Sequence, residues 1–319
     1  VLSDAIAVAR VGNASPKPAA DGLGVHFAHF CEQLRCDAAL GEYGVQSLVH
    51  RVIQVQSLAG GQVVSVRAQW NGAFLRGAYA AGMTLIVLWD IDHTLIDNAG
   101  VSKEIYAAAF ETVTGARPAK PAVTEGRTDR LIMRGLFRRN GVDEPEWPQV
   151  ETALAEAGEE RREVLRERGT ALPGVREALK EASVHEGWVS SVLTGNIAAN
   201  ARVKLAAFGL DGLLDLPVGA YGADAEERPH LVDIARRRIH RDRGLPIDTP
   251  VVLVGDTPRD VEAALASGAH VIAVATGVDS PSALAAAGAP VVLPDLADTD
   301  RVLRRLEDVE RGENVPGTS

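Results

Sequence analysis

Asp90, Asp92 and Asp97 fall within eight positions at the end of "TLIVLWDIDHTLID", residues 84–97, directly behind an apolar run. Two further apolar runs end in polar residues: "WVSSVL" leads into Thr194, Gly195 and Asn196, and "VVLV" leads into Gly255 and Asp256, with Asp260 four positions on. Each feature alone is ordinary, since a lone Asp behind a strand is usually a turn or helix cap and "TGN" an everyday turn. Together they say more. In a parallel sheet the carboxyl ends of all strands share one edge, and open α/β folds bind ligands there. Residues more than 160 positions apart are thereby expected to converge. Two carboxylates about 4 Å apart repel by about 4 kcal/mol at an effective dielectric of 20. Asp90, Asp92 and Asp256, with Asp260 in support, therefore require a cation. Hard oxygen ligands without His or Cys suit Mg2+, which takes one or two carboxylates, water and a substrate phosphate.

The elements that would position these residues alternate from residue 83 onward. Strand-like runs occur at 84–89, 188–193, 250–254, 270–274 and 290–293. Between them "IAANARVKLAAFGL", "RPHLVDIARRRIH", "PRDVEAALASG" and "SPSALAAAG" have helical periodicity, several ending at glycine. This is the alternation of a Rossmann-like α/β fold, a parallel sheet covered on both faces. Residues 101–170 interrupt it with three or four helices and no convincing strand, and "LPGVREALKEA" returns the chain to the sheet. The expected division is a core of 83–97 and 171–319 with a helical insert at 98–170.

Residues 1–82 differ in character, with 11 charged side chains against 65 in the rest of the chain. Their one suggestive segment alternates like a weak hairpin around Gly60 and Gly61. Three readings stand for this extension: a small accessory domain, a targeting or regulatory segment, or poorly ordered upstream sequence outside the natural product, with translation starting at Met83. Acids at Asp4, Asp21, Glu32, Asp37 and Glu42 argue against a transit peptide.

The 319 residues carry a net charge of −10, which disfavours a nucleic-acid partner. No apolar run reaches the length of a membrane span, so no membrane partner is expected. Cys31 and Cys36 form neither a disulfide framework nor a four-ligand zinc site. A cytoplasmic, globular protein is the expectation, and its oligomeric state is left open.

"DIDHTLID", "VLTGN", Arg228 at the head of a helix and "GDTPRD" resemble the four ordered motifs of the haloacid dehalogenase superfamily, over residues 84 to about 295. The resemblance implies a phosphoryl-transfer enzyme in which Asp90 is the nucleophile and Asp92 the general acid and base. Thr194 would bond phosphoryl oxygens, with Gly195 and Asn196 shaping its loop. Mg2+ would sit on the Asp90 carboxylate, the Asp92 carbonyl and Asp256. The family most often has Lys where this chain has Arg228; the role survives, since Arg keeps its charge and a fork for phosphate. Two other readings of that position are a helix-start Arg paired with Glu226 or Glu227, and Lys204 as a substitute cation. His93 fills a variable motif position.

Dehalogenases of the superfamily need neither the second acid nor the metal cluster, so Asp92 favours a phosphatase. About 100 residues separate Asp92 from Thr194, room for a helical cap, whereas 34 separate Thr194 from Arg228. "TEGRTDR", residues 124–130, resembles the substrate loop of phosphoglycolate phosphatase-like members, making Arg127 a candidate for a substrate anion; an ion pair with Asp129 or Glu125 is the alternative. The expected partner is a small phosphorylated metabolite. The alternatives are a β-phosphoglucomutase-like phosphosugar mutase and a non-catalytic binding module.

Overall fold

The computed structural model describes residues 54–59, 62–67, 84–124 and 126–313. The chain divides into two compact units, Val1–Asn71 and Gly72–Ser319. In the first, β1 (Gln54–Ala59) and β2 (Gln62–Arg67) pair antiparallel, the hairpin that the alternation around Gly60 and Gly61 predicts. The readings for the rest of residues 1–82 lie outside the described residues.

The second unit is built on five parallel strands. In chain order they are β3 (Leu85–Trp89), β6 (Trp188–Val192), β7 (Val251–Gly255), β8 (His270–Val274) and β9 (Val292–Leu293), and in the sheet they lie β6-β3-β7-β8-β9. All five follow the apolar runs, with ends shifted by a residue or two. Period-two alternation splits each strand between two cores: Leu85, Val87 and Trp89 face one way, Ile86 and Leu88 the other. The first core is covered by α5 (Val175–Val184), α6 (Ala198–Ala207) and α10 (Thr299–Glu310). The second is covered by α7 (Arg228–Arg243), α8 (Pro258–Ala266) and α9 (Pro281–Ala286). No described helix is long and apolar enough to cross a membrane.

Between β3 and β6 stand α1 (Val101–Thr114), α2 (Asp129–Arg139), α3 (Trp147–Glu160) and α4 (Arg162–Arg168). The helical stretch "PQVETALAEAGEERREVLRERG" is broken at Arg161 into α3 and α4. Val101, Ile105, Tyr106, Ala109 and Phe110 recur at helical spacing on α1 and meet Ile132, Met133, Leu136 and Phe137 of α2 and Val150, Ala153, Leu154 and Ala157 of α3. The helical block thus has an apolar cluster of its own, to which Ile197 also contributes. A short antiparallel pair stands where the block leaves and returns: β4 (Ile96–Asp97) against β5 (Thr170–Ala171), with Ile96 opposite Ala171. At two residues a strand, it is too short to leave a periodic trace in the sequence.

Candidate active site

β3 and β7 are adjacent and in register, Trp89 beside Val254, so the residues that follow them emerge side by side. The Asp90 amide donates to the Val254 carbonyl at 2.9 Å. One oxygen from each of Asp90, Asp256 and Asp260 lies within 4.8 Å of the others, and all three residues are buried. Asp260 reaches the group because Thr257 and Asp260 close a capping box at the start of α8: Asp260 Oδ2 accepts from the Thr257 amide at 3.1 Å and from its hydroxyl at 2.6 Å. Thr94 donates to Asp256 Oδ1 at 3.1 Å.

Arg228 is the cation of this cluster. Its Nη2 donates to Asp90 Oδ1 at 2.9 Å and lies 2.6 Å from Asp260 Oδ1. The alternative pairing with Glu226 or Glu227 does not occur; Glu226 is held by both terminal nitrogens of Arg134 on α2. Burial pushes the Asp90 carboxyl up to about 7, with Arg228 opposing and Asp260 reinforcing the rise. Burial and the neighbouring Asp260 and Asp90 also raise Asp256 well above the ordinary carboxylate value.

Asp92 sits across the site in different company. Lys204 Nζ donates to its Oδ1 at 2.8 Å and its Oδ2 at 2.6 Å, Asn98 to Oδ1 at 2.6 Å and Asn196 to Oδ2 at 2.8 Å. Burial alone would raise its carboxyl, but Lys204 and these donors overcome it and hold it down at about 2. Lys204 is therefore no substitute for Arg228: both cations are present, each on its own aspartate. Asp97, by contrast, stays out of the cluster and accepts from the Ala99 amide in a turn.

Two left-handed or crowded backbone positions set the loop geometry. His93 takes φ 62, a region where glycine costs nothing and His is tolerated better than most residues, which turns the chain between Asp92 and Ile96. A Cβ on Gly195 would stand 2.1 Å from the Arg127 carbonyl oxygen, so only glycine lets the segment 126–129 lie against the Thr194 loop. There the Asp129 amide donates to the Gly195 carbonyl at 2.7 Å.

The pocket that results has a volume of about 280 Å³ and is lined by Asp90, Asp92, Thr194, Gly195, Asn196, Arg228 and Asp256 from the sheet side. From the helical block come Ser102, Lys103, Tyr106 and Arg127. Arg127 makes no ion pair with Asp129, and Glu125, the other partner considered, lies outside the described residues. Asp129 is fully buried and accepts from the Tyr106 hydroxyl at 2.6 Å and the Ile197 amide at 2.8 Å. Burial lifts Asp129 to about 6 in spite of these bonds. Neither Tyr106 nor Asp129 stands out in the sequence, where one is an apolar-face residue and the other a first-turn acid of a helix.

The donor set fits a hard divalent cation. It is all carboxylate, and Asp260 Oδ1 is a buried oxygen that has the Arg228 guanidinium at 2.6 Å but no aligned hydrogen-bond donor.

A profile of the haloacid dehalogenase-like hydrolase family matches residues 87–265. The chain belongs to that family of hydrolases. Among solved structures it is similar to a hydrolase from Pseudomonas syringae, at 22% identity over 70% of this chain and 99% of that one, with a TM-score of 0.52. A predicted phosphoglycolate phosphatase from Haemophilus somnus is 19% identical over 70% and 100%, with a TM-score of 0.51. A predicted phosphatase from Clostridium acetobutylicum is 18% identical over 70% and 100%, with a TM-score of 0.50. These likenesses show a shared fold. A search of curated proteins found no match.

Proposed function

We propose that the chain is a magnesium-dependent phosphatase that hydrolyses a small phosphate monoester through an aspartyl phosphate on Asp90, with residues 98–170 as a cap over a core of 83–97 and 171–319. The observation that carries this reading is the pairing of two carboxylates with opposite surroundings in one pocket, Asp90 beside Arg228 and two further acids, Asp92 bound by Lys204 and two amides.

An Asp90 oxygen attacks the phosphorus, the bond to the ester oxygen breaks, and Asp92 delivers a proton to the departing oxygen. Water then attacks the phosphorus, passes its proton to Asp92 and releases phosphate from Asp90. Asp92 as held by Lys204 is already a carboxylate, the form needed for the second half. For the first half, the negative phosphoryl group arriving beside it raises its affinity for a proton. Arg228 and the Thr194 hydroxyl bind the phosphoryl oxygens, and Gly195 and Asn196 shape the loop beneath them. Asp90, Asp256 and the Asp92 carbonyl would hold Mg2+ with Asp260 in support, and the bound ion supplies positive charge for the transferring group. A cavity of about 280 Å³ suits a small ester. Phosphoglycolate, whose carboxylate Arg127 would meet, leads the candidates.

Phosphate release from a panel of small esters tests the reading. We expect turnover with Mg2+, none with a chelator, and a loss of at least about 1,000-fold in Asp90→Asn. Metal-independent turnover, or isomerisation of a hexose phosphate without release of phosphate, would overturn it.

A further inference from the structure

We propose that Lys204 is a positioning residue that aims the Thr194 hydroxyl into the pocket, acting through Asn196. The inference rests on the phosphatase reading in taking Thr194 as a phosphate donor. Lys204 is 2% exposed and sits on α6, away from the loops that carry the other polar groups. All three of its protons are used: two on the Asp92 oxygens and one on Asn196 Oδ1 at 2.6 Å.

An ammonium donates and cannot accept. Asn196 must therefore present its amide oxygen to Lys204, which turns its NH2 group the other way. From there Nδ2 donates to Asp92 Oδ2 and to Thr194 Oγ1, each at 2.8 Å. The Asn196 backbone amide points at the same hydroxyl oxygen at 3.3 Å. A hydroxyl has two acceptor sites and one proton. With both sites filled, the Thr194 proton is left to donate, and no described residue accepts it. Thr194 lines the pocket, so the proton is presented to whatever anion enters.

Without Lys204, Asn196 Oδ1 becomes a buried acceptor without a donor, since Asn196 is 5% exposed. A turned amide would put that oxygen where Nδ2 now stands, 2.8 Å from the Thr194 hydroxyl, which can donate to it. Once the amide turns to take it, Thr194 no longer donates to phosphate.

Binding of inorganic phosphate, measured by calorimetry and as competitive inhibition of ester hydrolysis, tests this separately from the proton chemistry of Asp92. We expect Lys204→Met to weaken phosphate binding about tenfold, the scale of one hydrogen bond to a charged group. Thr194→Val should weaken it by a similar factor, and the double variant no more than Thr194→Val alone. Lys204→Gln, whose amide can donate to Asn196 Oδ1, should recover most of the affinity. If Lys204→Met does not fold, the charge-balanced pair Asp92→Asn with Lys204→Met, compared with Asp92→Asn alone, should show the same tenfold loss. Multiplying losses in the double variant, or undiminished phosphate binding in Lys204→Met, would overturn the proposal while leaving the phosphatase reading intact. A native chain that neither binds phosphate nor releases it from esters would overturn both.

Discussion

The two halves of the pocket are neutralised to different degrees. On one side three buried carboxylates, Asp90, Asp256 and Asp260, share the single guanidinium of Arg228; on the other Asp92 has Lys204 to itself. In the first half Asp90 is raised to about 7 and Asp256 is raised with it, whereas Asp92 in the second is held at about 2. The same residue type, two positions apart, is thus driven in opposite directions by its neighbours. A completed ion pair needs nothing more, whereas three acids on one cation, once all are ionised, are two positive charges short.

Removing the cation from the deficient half should cost most. Arg228→Met leaves three buried acids without their cation, and breaking a buried pair in this way destabilises by about 3–5 kcal/mol. Thermal unfolding at pH 8 should show the full loss. The loss should shrink at pH 5, where Asp90 and Asp256 take up protons, and Arg228→Lys should restore part of it. A pH-independent loss would mean that Arg228 matters for packing rather than for charge.

The halves should also respond to pH with opposite signs. A carboxyl raised on folding contributes stability that is full below its unfolded value of 3.8 and is lost as pH rises through about 7; this is the Asp90 half. A carboxyl lowered on folding contributes stability that is full above 3.8 and is lost as pH falls towards about 2; this is the Asp92 half. In chelator, Asp90→Asn should flatten the decline between about pH 4 and 7, and Asp92→Asn should flatten the acid limb. Mg2+ at a hundred times its dissociation constant should add about 2.7 kcal/mol at pH 8. Asp256→Asn should abolish that gain and Asp92→Asn should leave it in place, because the Asp92 side chain faces Lys204. An equal response from both variants would merge the two halves into one site.

Much of the first half is legible in the sequence and much of the second is not. β3, β6 and β7 are buried along their whole length, so they read as runs of apolar or small residues, and the polar residues behind them mark the shared edge. Asp90 and Asp256 follow from that rule alone, and Asp260 joins them through its capping box with Thr257. The partners of Arg228 do not, because Glu226 and Glu227 are nearer along the chain and only the fold gives Glu226 to Arg134. Lys204 is harder still, since the sequence offers it only as a substitute for Arg228 and gives it no partner of its own. Its signal is spacing: Ile197, Ala201 and Lys204 lie at intervals of four and three on a buried helix face, where a charge needs a partner. Tyr106 and Asp129, 23 positions apart on different helices, leave no such trace.

The smallest effect concerns the turn that follows Asp92. The chain swings at His93, whose φ of 62 is held by its amide donating to the Ile96 carbonyl at 2.7 Å and by the Thr276 hydroxyl donating to the His93 carbonyl. Both bonds use backbone atoms of residue 93, so a different side chain keeps them. A non-glycine residue in the left-handed region carries a strain of about 1 kcal/mol. Glycine relieves it but makes the unfolded chain more flexible, which returns part of the gain. His93→Gly should therefore raise stability by less than about 1 kcal/mol, leave the pH responses of both halves in place and preserve turnover. A clear fall in turnover with unchanged stability would show that the imidazole, which lines the pocket, touches substrate and is more than the filler its motif position suggests.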